Sequence, residues 1–384
     1  MFTYNYLSKE HMKGLNKYKY SAIDTSPLSN YVMHPSWNAI VKIIPKSIAP
    51  NLITFAGFLC MVATVLILTA YDYDLYAAGG RPGLTSYECD IPNWVFTFCG
   101  VMIFLAYNLD GMDGKQARRI GVSGPLGELF DHGLDSYIVF LIPYSLMSIF
   151  GRDPVFSVTC FSVVMNFYVS HCEKYNTGTL YLPWSYDLSM WVSTILFLVS
   201  GAYGPEYFKH YVFRDVTFTQ MLEVVIHAMG FITTYPVAIY NVYLSYKSPG
   251  GKKYPILEAT KPIWSMLVMT AAVILWAVKS PNNILEQHPR AFILMYGTLF
   301  SNISCRLIIA EMTHRRCELL SWMTLPLLKG IMISLYEPHL ESIILHSLLI
   351  LFVLSHVHYG ICVVRQICRH LIISCFTVPY HKRK

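Results

Sequence analysis

The hydrophobic positions of this 384-residue chain fall into long runs, separated by short stretches rich in polar residues, glycine and proline. An α-helix needs about 20 mainly apolar residues to cross the hydrocarbon core of a bilayer, and several runs reach or approach that length. We therefore predict an all-α polytopic membrane protein with about ten transmembrane helices, although two short runs leave a count of about eight or nine open. The predicted helices cover residues 50–71, 93–112, 134–151, 155–172, 188–204, 220–245, 263–279, 291–312, 319–336 and 341–368.

The first 46 residues have a different pattern, in which lysines alternate with tyrosines, Met33 and Trp37. Basic, aromatic-rich segments of this kind are typical of amphipathic helices that lie flat in the membrane–water interface. We expect residues 1–46 to form such an interfacial N-terminal segment. Residues 47–373 would form one transmembrane domain around the polar stretch 110–135, and residues 374–384 a cytosolic C-terminal tail.

Composition supports the membrane assignment and excludes several classes of function. The chain is 54% hydrophobic and only 14% charged, with a mean hydropathy of +0.42. The net charge of +6 is spread over short loops, so it does not indicate a nucleic-acid partner. Most of the ten cysteines lie inside the apolar runs and none forms a CxxC pair, which favours buried hydrophobic positions over disulfides or zinc.

Basic residues are distributed unequally between the two sides that alternating helices would define. Lys115, Arg118, Arg119, Arg315 and Arg316 fall on the side of the N-terminus, whereas the opposite side receives few basic residues. Cytosolic loops of membrane proteins carry this excess of lysine and arginine. The asymmetry predicts that both termini and the stretch 110–135 face the cytosol.

The stretch 110–135, DGMDGKQARRIGVSGPLGELFDHGLD, carries the candidate chemistry. Asp110 and Asp113 would share one helical face, and Gly127, Asp131 and Asp135 would share a face of the next helix. The intervening RIGVSGP contains two glycines and a proline, and so predicts a break that lets the helices face each other. Four carboxylates converging at the membrane surface would repel one another unless divalent cations neutralised them. We therefore predict a metal site, since acidic residues are rare near the bilayer and mostly functional.

A purely structural alternative would pair Asp110 and Asp131 with Arg118 and Arg119 to hold two helix ends together. It explains one carboxylate pair and leaves the other without a partner.

The full spacing is Asp, two residues, Asp-Gly, two residues, Ala-Arg, eight residues, Gly, three residues, Asp, three residues and Asp. It resembles the signature of the CDP-alcohol phosphotransferase family at every fixed position. The resemblance implies a family fold with six helices around the site, usually dimeric, and two Mg²⁺ or Mn²⁺ ions. Asp110 and Asp131 would bridge both ions, while Asp113 completes one and Asp135 the other.

Three further residues are candidates for substrate binding. Arg118 could hold a phosphate of a nucleotide through its forked guanidinium, although anchoring at the membrane surface would explain it too. Gly114 lacks a side chain and would let a ligand approach the backbone closely. The resemblance suggests that Asn51, at the start of the first predicted helix, contacts the CDP group.

His132 is the candidate proton acceptor, because imidazole titrates near neutral pH and this one lies among the acids. The resemblance supports this role, since the histidine of the DHG sequence is the proposed base in the choline and ethanolamine branch of the family. Asp135 is the rival base. His171, Glu173, Lys174 and Tyr175 are predicted to lie in a cytosolic loop, where they could help to bind the nucleotide.

Further segments, including APNLITF, EKYNTGTLYLPW and HVHYG, resemble the animal ethanolaminephosphotransferase branch, the selenoprotein I group. This implies transfer of phosphoethanolamine from CDP-ethanolamine to diacylglycerol, or to an alkyl- or alkenyl-acylglycerol, at the endoplasmic reticulum or Golgi. The products would be phosphatidylethanolamine and CMP. A cholinephosphotransferase or dual enzyme is the nearest alternative, and an intramembrane prenyltransferase or a cation transporter is a remote one.

Overall fold

The structure is a computed structural model that describes residues 3–75, 91–151, 154–379 and 382. The end of the predicted C-terminal tail, residues 380, 381, 383 and 384, lies outside the described residues. The α-helices in chain order are α1 (Lys9–Leu15), α2 (His34–Ile40), α3 (Pro50–Tyr71), α4 (Asn93–Ile120), α5 (Pro125–Phe150), α6 (Pro154–Thr177), α7 (Ser185–Tyr203), α8 (Phe218–Met229), α9 (Tyr235–Lys247), α10 (Ile256–Lys279), α11 (Ile284–Gln287), α12 (Pro289–Met312), α13 (Thr324–Tyr336) and α14 (Glu341–Leu371).

Short irregular elements complete this architecture. Single π-helical turns cover Ser29–Met33 and Gly230–Thr234, and 3₁₀ turns cover Pro205–Phe208 and Pro338–Leu340. Strand β1 (Ala22–Asp24) pairs in parallel with β2 (Leu180–Leu182), and β3 (Tyr211–Phe213) pairs antiparallel with β4 (Val216–Thr217).

Each of the ten hydrophobic runs overlaps a helix, which confirms the all-α polytopic fold. Within the part of the chain that the structure describes, seven helical segments are long and apolar enough to cross a membrane. The predicted count of about ten spans is therefore not confirmed, because α6, α7 and α13 are not among these seven. The protein is a multi-pass membrane protein.

The polar stretch 110–135 is almost entirely helical and is broken only between α4 and α5. Gly121 ends α4 with a left-handed backbone (φ 64°), a conformation that glycine adopts without steric cost. Pro125 then opens α5 at a position where its missing N–H is harmless. The predicted break is confirmed, and it places the last turns of α4 beside the first turns of α5.

Both helices extend beyond their predicted apolar runs, which end at residue 112 and begin at residue 134. Polar side chains in the added turns bind other parts of the protein. Gln116 donates a 3.0 Å hydrogen bond to the carbonyl of Pro45, and Arg119 donates one of 2.7 Å to the carbonyl of Ile44. Hydropathy marks where lipid can lie, so it misses helical turns that are covered by protein.

The helices that carry the acids pack mainly against neighbouring helices, and both of them contact α3. Helix α4 packs against α3 and α7, while α5 packs against α3 and α12. A methyl group on Gly57 of α3 would lie only 3.3 Å from the carbonyl oxygen of Ala106 in α4. This close approach of small residues is typical of helix pairs in membranes.

The N-terminal segment docks onto the far end of the chain. The backbone of Leu7 donates to Gln366 of α14 at 3.0 Å and accepts from the same amide at 2.7 Å. Leu15 of α1 is buried with Leu126 and Ile308. The predicted N-terminal helices are present, and the pairing of β1 with β2 draws residues 18–20 towards α5 and α6.

Candidate active site

Three of the four predicted carboxylates meet between α4 and α5. One oxygen from each of Asp110, Asp113 and Asp131 lies within 4.8 Å of the others, close enough to share a metal ion. Asp113 is buried, with 6% of its surface exposed. The i, i+3 spacing brings the first two together on α4, and the helix break brings α5 alongside.

Side chains from other helices hold two of these acids in place. The hydroxyl of Thr54 in α3 donates a 2.5 Å hydrogen bond to Asp113 Oδ2, and the phenol of Tyr186 in α7 donates one of 3.0 Å to Asp110 Oδ2. Asp131 Oδ1 is buried and has no hydrogen-bond partner among the described residues. Clustered carboxylates with an unsatisfied buried oxygen fit a hard divalent cation, which prefers oxygen ligands.

Asp135 lies one helical turn beyond Asp131 and does not belong to this group of three. It is still close enough to act electrostatically on Asp110 and Asp113. Its Oδ2 is 3.5 Å from Nδ1 of His132, whose Nε2 is buried without a hydrogen-bond partner among the described residues. The arrangement orients the imidazole through one nitrogen and leaves the other available.

A cavity of about 480 Å³ opens beside the acids, a size within the range that ligand pockets usually have. Its walls include all the predicted substrate-binding residues. The site residues in its lining are Asn51, Thr54, Asp113, Gly114, Arg118, Gly127, Glu128 and Asp131.

The two arginines of the motif have different surroundings. Arg119 donates hydrogen bonds to the carbonyl oxygens of Val41, Lys42 and Ile44, the longest of them 3.0 Å. It therefore anchors the connection before α3, which argues against the structural alternative that paired it with an aspartate. Arg118 lines the cavity, and its guanidinium lies 3.5 Å from the position a Cβ of Gly114 would take.

The cavity is bordered by a buried ionic cluster, and sequence reasoning did not find this cluster. Lys174 forms an ion pair with Glu128, and a second one of 3.7 Å with Glu311, while the phenol of Tyr18 donates to Glu128. Burial, together with the neighbouring charge of Glu128, raises the pKa of Tyr18 well above its ordinary value. The ring of Tyr20 lies 5.4 Å from Lys174 Nζ.

The predicted cytosolic loop containing His171, Glu173, Lys174 and Tyr175 is wrong, because these residues form the last turns of α6 and are buried. The helix continues past the apolar run because its polar side chains have partners inside the protein. Glu173, for example, accepts a 2.6 Å hydrogen bond from Asn241 of α9. Buried polar residues in a helix are indistinguishable from a solvated loop when hydropathy is the only guide.

Residues 47–303, about two thirds of the chain, match the CDP-alcohol phosphatidyltransferase family. The chain belongs to this family. The acids of α4 and α5 and most of the cavity lie within the matched region.

Relatives with assigned names cover almost the whole chain. Ethanolaminephosphotransferase 1 of Mus musculus is 42% identical over 98% of this chain and 96% of its own length, and the Homo sapiens protein has the same identity and coverage. Choline/ethanolaminephosphotransferase 2 of Arabidopsis thaliana is 29% identical over 97% of this chain and 98% of its own length. The protein is thus an enzyme of the CDP-alcohol phosphotransferase class, which argues against the prenyltransferase and cation-transporter alternatives.

Two supporting residues of this family member were not predicted from the sequence. Thr54 lies one helical turn after Pro50, and an isolated threonine in an apolar helix gives no signal of a carboxylate partner. Tyr186 is 76 positions from Asp110 along the chain and lies near the start of α7. Only the packing of α7 against α4 brings the two together.

Proposed function

We propose that the enzyme transfers phosphoethanolamine from CDP-ethanolamine to 1,2-diacylglycerol, or to an alkyl- or alkenyl-acylglycerol, and releases phosphatidylethanolamine and CMP. The observation that carries this proposal is the cluster of Asp110, Asp113 and Asp131 at the wall of a nucleotide-sized cavity. The choice of ethanolamine rests on the names of relatives that are 42% identical over nearly the full chain.

The four aspartates would hold two Mg²⁺ or Mn²⁺ ions. One oxygen each of Asp110, Asp113 and Asp131 lies within 4.8 Å of the others, and Oδ1 of Asp131 is buried without a hydrogen-bond partner among the described residues. Asp135 would contribute from the next turn of α5. When bound, the ions would neutralise the diphosphate of the donor and stabilise the charge of the departing CMP.

The donor would lie in the cavity with its diphosphate towards the acids. Arg118 supplies a guanidinium that suits bidentate contact with a phosphate, and the bare backbone at Gly114 allows close approach. Asn51 lies across the cavity beside Gly127 and would contact the CDP group. The cavity lining thus offers the basic side chains of Arg118 and Lys19, and hydrogen-bonding groups such as the Asn51 amide, to the nucleotide.

His132 would accept the proton of the lipid hydroxyl as its oxygen attacks the phosphorus that carries ethanolamine. The bond from that phosphorus to the oxygen of CMP breaks, and CMP leaves with the electron pair. Asp135 would orient the imidazole through the 3.5 Å contact with Nδ1. In the rival arrangement, Asp135 itself takes the proton.

The proposed setting follows from the substrates and the charge asymmetry. A charged nucleotide would enter from the cytosol, where both termini would also lie, and diacylglycerol would enter sideways from the bilayer. The enzyme would act in the endoplasmic reticulum or Golgi, as a homodimer.

The second candidate is a cholinephosphotransferase or dual enzyme. Tyr18 and Tyr20 line the cavity, and aromatic rings are the groups that bind a quaternary ammonium. One relative at 29% identity is named for both activities. Turnover of CDP-choline compared with CDP-ethanolamine distinguishes the two candidates.

The test is an assay of the purified full-length enzyme in detergent with labelled CDP-ethanolamine and diacylglycerol. We expect turnover to stop after chelation and to return when Mg²⁺ or Mn²⁺ is added. Asp110→Asn, Asp113→Asn, Asp131→Asn and Asp135→Asn should each abolish activity, whereas Asp74→Asn, an exposed carboxylate in the connection after α3, should not. Undiminished synthesis after exhaustive chelation would overturn the metal-dependent mechanism.

A further inference from the structure

The chain does not leave the protein after α14 but turns back over the donor cavity. Ile372 reverses its direction with a left-handed backbone (φ 54°), which a β-branched residue rarely adopts. The contacts made by the following residues must therefore stabilise the turn. Six of them line the cavity, namely Ile373, Ser374, Cys375, Thr377, Val378 and Pro379. We call residues 373–379 the C-terminal strap.

The C-terminal strap binds a residue that faces the nucleotide cavity. The amide Nδ2 of Asn51 donates a 3.0 Å hydrogen bond to the carbonyl oxygen of Cys375 and lies 3.5 Å from its sulfur. The other end of the amide, Oδ1, lies 3.7 Å from the position that a Cβ of Gly127 would take. The strap thus fixes which way the Asn51 amide points.

Apolar contacts hold the strap against the helices that form the site. Val378 is only 2% exposed and packs with Ala49 and Ile120. The ring of Phe376 lies 6.0 Å from that of Phe55 and 5.5 Å from that of Phe130, measured between centroids. These partners belong to the start of α3, the end of α4 and the first half of α5.

A polar contact follows the strap. Lys382 Nζ donates a 2.6 Å hydrogen bond to the carbonyl oxygen of Gly121, the residue that ends α4. A buried apolar anchor, an aromatic cluster and this bond together describe a fixed wall of the cavity rather than a solvated tail.

We propose that the C-terminal strap is a positioning element of the donor site, which holds the Asn51 amide in the orientation that binds the CDP group. The inference rests on the proposed function of this cavity and adds a specific role for a segment about 240 residues beyond the acids. Since the strap lines the cavity proposed for the donor, its loss should selectively weaken binding of the donor.

The test compares Val378→Ser, which loosens the buried anchor, with Val32→Ser, the same change at a valine that is 49% exposed and lies outside the strap and the cavity. Steady-state kinetics of the full-length enzyme with CDP-ethanolamine and diacylglycerol give both KM values. We expect Val378→Ser to raise the KM of the donor about tenfold, since one fixed hydrogen bond is worth about that factor. The KM of diacylglycerol should stay within about twofold, and Val32→Ser should resemble the wild type.

Asn51→Ala provides the second half of a double-mutant cycle. If the strap acts through Asn51, adding Val378→Ser to Asn51→Ala raises the donor KM no further. Multiplicative effects, an unchanged donor KM in Val378→Ser, or a lower donor KM that marks the strap as an obstruction would each overturn the inference. A wild-type enzyme that does not use CDP donors would refute the proposed function itself, whereas the outcomes above refute only the role of the strap. The two failures are therefore distinguishable.

Thiol labelling keeps the inference testable if Val378→Ser does not fold. Burial raises the pKa of the Cys375 thiol to about 11, so labelling by a water-soluble maleimide is slow and is best followed under mildly alkaline conditions. We expect CDP to slow the labelling of Cys375 further, as read by mass spectrometry, with Cys375→Ser identifying the peptide. Labelling that is indifferent to saturating CDP would contradict the placement of the strap at the donor.

Discussion

The phenol of Tyr186 donates a 3.0 Å hydrogen bond to Oδ2 of Asp110, and so joins the start of α7 to the carboxylate cluster. A hydrogen bond of this kind orients a metal-binding carboxylate, and its loss typically costs 10–100-fold in metal affinity. Tyr186→Phe should raise the Mg²⁺ concentration for half-maximal activity by about that factor. Tyr137→Phe is the matched control, because its hydroxyl donates to Thr298 and not to an acid. Equal metal requirements in the two variants would contradict this role.

Thr54→Val should also weaken metal binding, in this case through Asp113 instead of Asp110. The substitution removes the 2.5 Å hydrogen bond to Asp113 and leaves a buried carboxylate oxygen without that donor. Hydrogen bonds to charged groups contribute about 1.5–3 kcal/mol, so we expect a loss of about tenfold or more in apparent metal affinity. Thr54→Ser keeps the hydroxyl and should retain most of the apparent metal affinity. Thr64→Val on the same helix removes a hydroxyl bonded to the Cys60 carbonyl and should leave the metal titration unchanged.

His132→Ala tests the identity of the base. General base catalysis contributes about 10²–10⁴-fold, so kcat should fall by that range while the KM of CDP-ethanolamine changes little. The measurement is steady-state turnover at saturating Mg²⁺. An unchanged kcat would assign the proton to Asp135 instead.

Gly111→Ala should distort the acidic turn of α4. An added Cβ would lie 2.4 Å from ring atoms of Trp37, a rigid side chain that cannot move aside easily. Overpacking of this kind costs about 1–3 kcal/mol, so the thermal midpoint of the detergent-solubilised enzyme should fall. Gly360→Ala in α14 is the control, since nothing lies within 4 Å of its added Cβ. That change should leave stability equal or raise it by about 0.5–1 kcal/mol, and similar midpoints for both variants would refute the expected clash.

Lys174→Met should be strongly destabilising, because it leaves Glu128 buried without its cation and Glu311 with only the 3.4 Å ion pair to Lys252. Removing one partner of a buried ion pair typically costs about 3–5 kcal/mol. Thermal unfolding should show a large drop for Lys174→Met and partial recovery when Glu128→Gln and Glu311→Gln are added. Lys247→Met removes an exposed lysine at the end of α9 and should stay within about 0.5 kcal/mol of the wild type. A small effect at both positions would mean that the cluster is not structurally important.

The parts of the structure that the sequence predicted are those governed by local spacing. Asp110 and Asp113 share a helical face because they are three residues apart, and glycine at position 121 predicts the break that lets Asp131 approach. The cavity also contains the three residues proposed for substrate binding, which were identified by the same local motif or its family resemblance.

The contacts that were missed connect residues far apart in the chain. The partner of Asn51 is 324 positions away at Cys375, and that of Lys174 is 46 positions away at Glu128. Hydropathy also fails where a polar side chain has its partner inside the protein, which explains the wrong assignment of the end of α6 to a loop. Without the packing of the helices, nothing in the amino-acid sequence relates the C-terminal strap to the nucleotide cavity.

The reciprocal hydrogen bonds between Leu7 and Gln366 have a consequence for biosynthesis. Translation produces Leu7 359 residues before its partner in α14. Contacts of such sequence separation form late, because the intervening chain must first be ordered. The helices between these two residues can therefore already be inserted in the membrane while Leu7 still awaits docking on α14, which makes this contact a late step in the maturation of the enzyme.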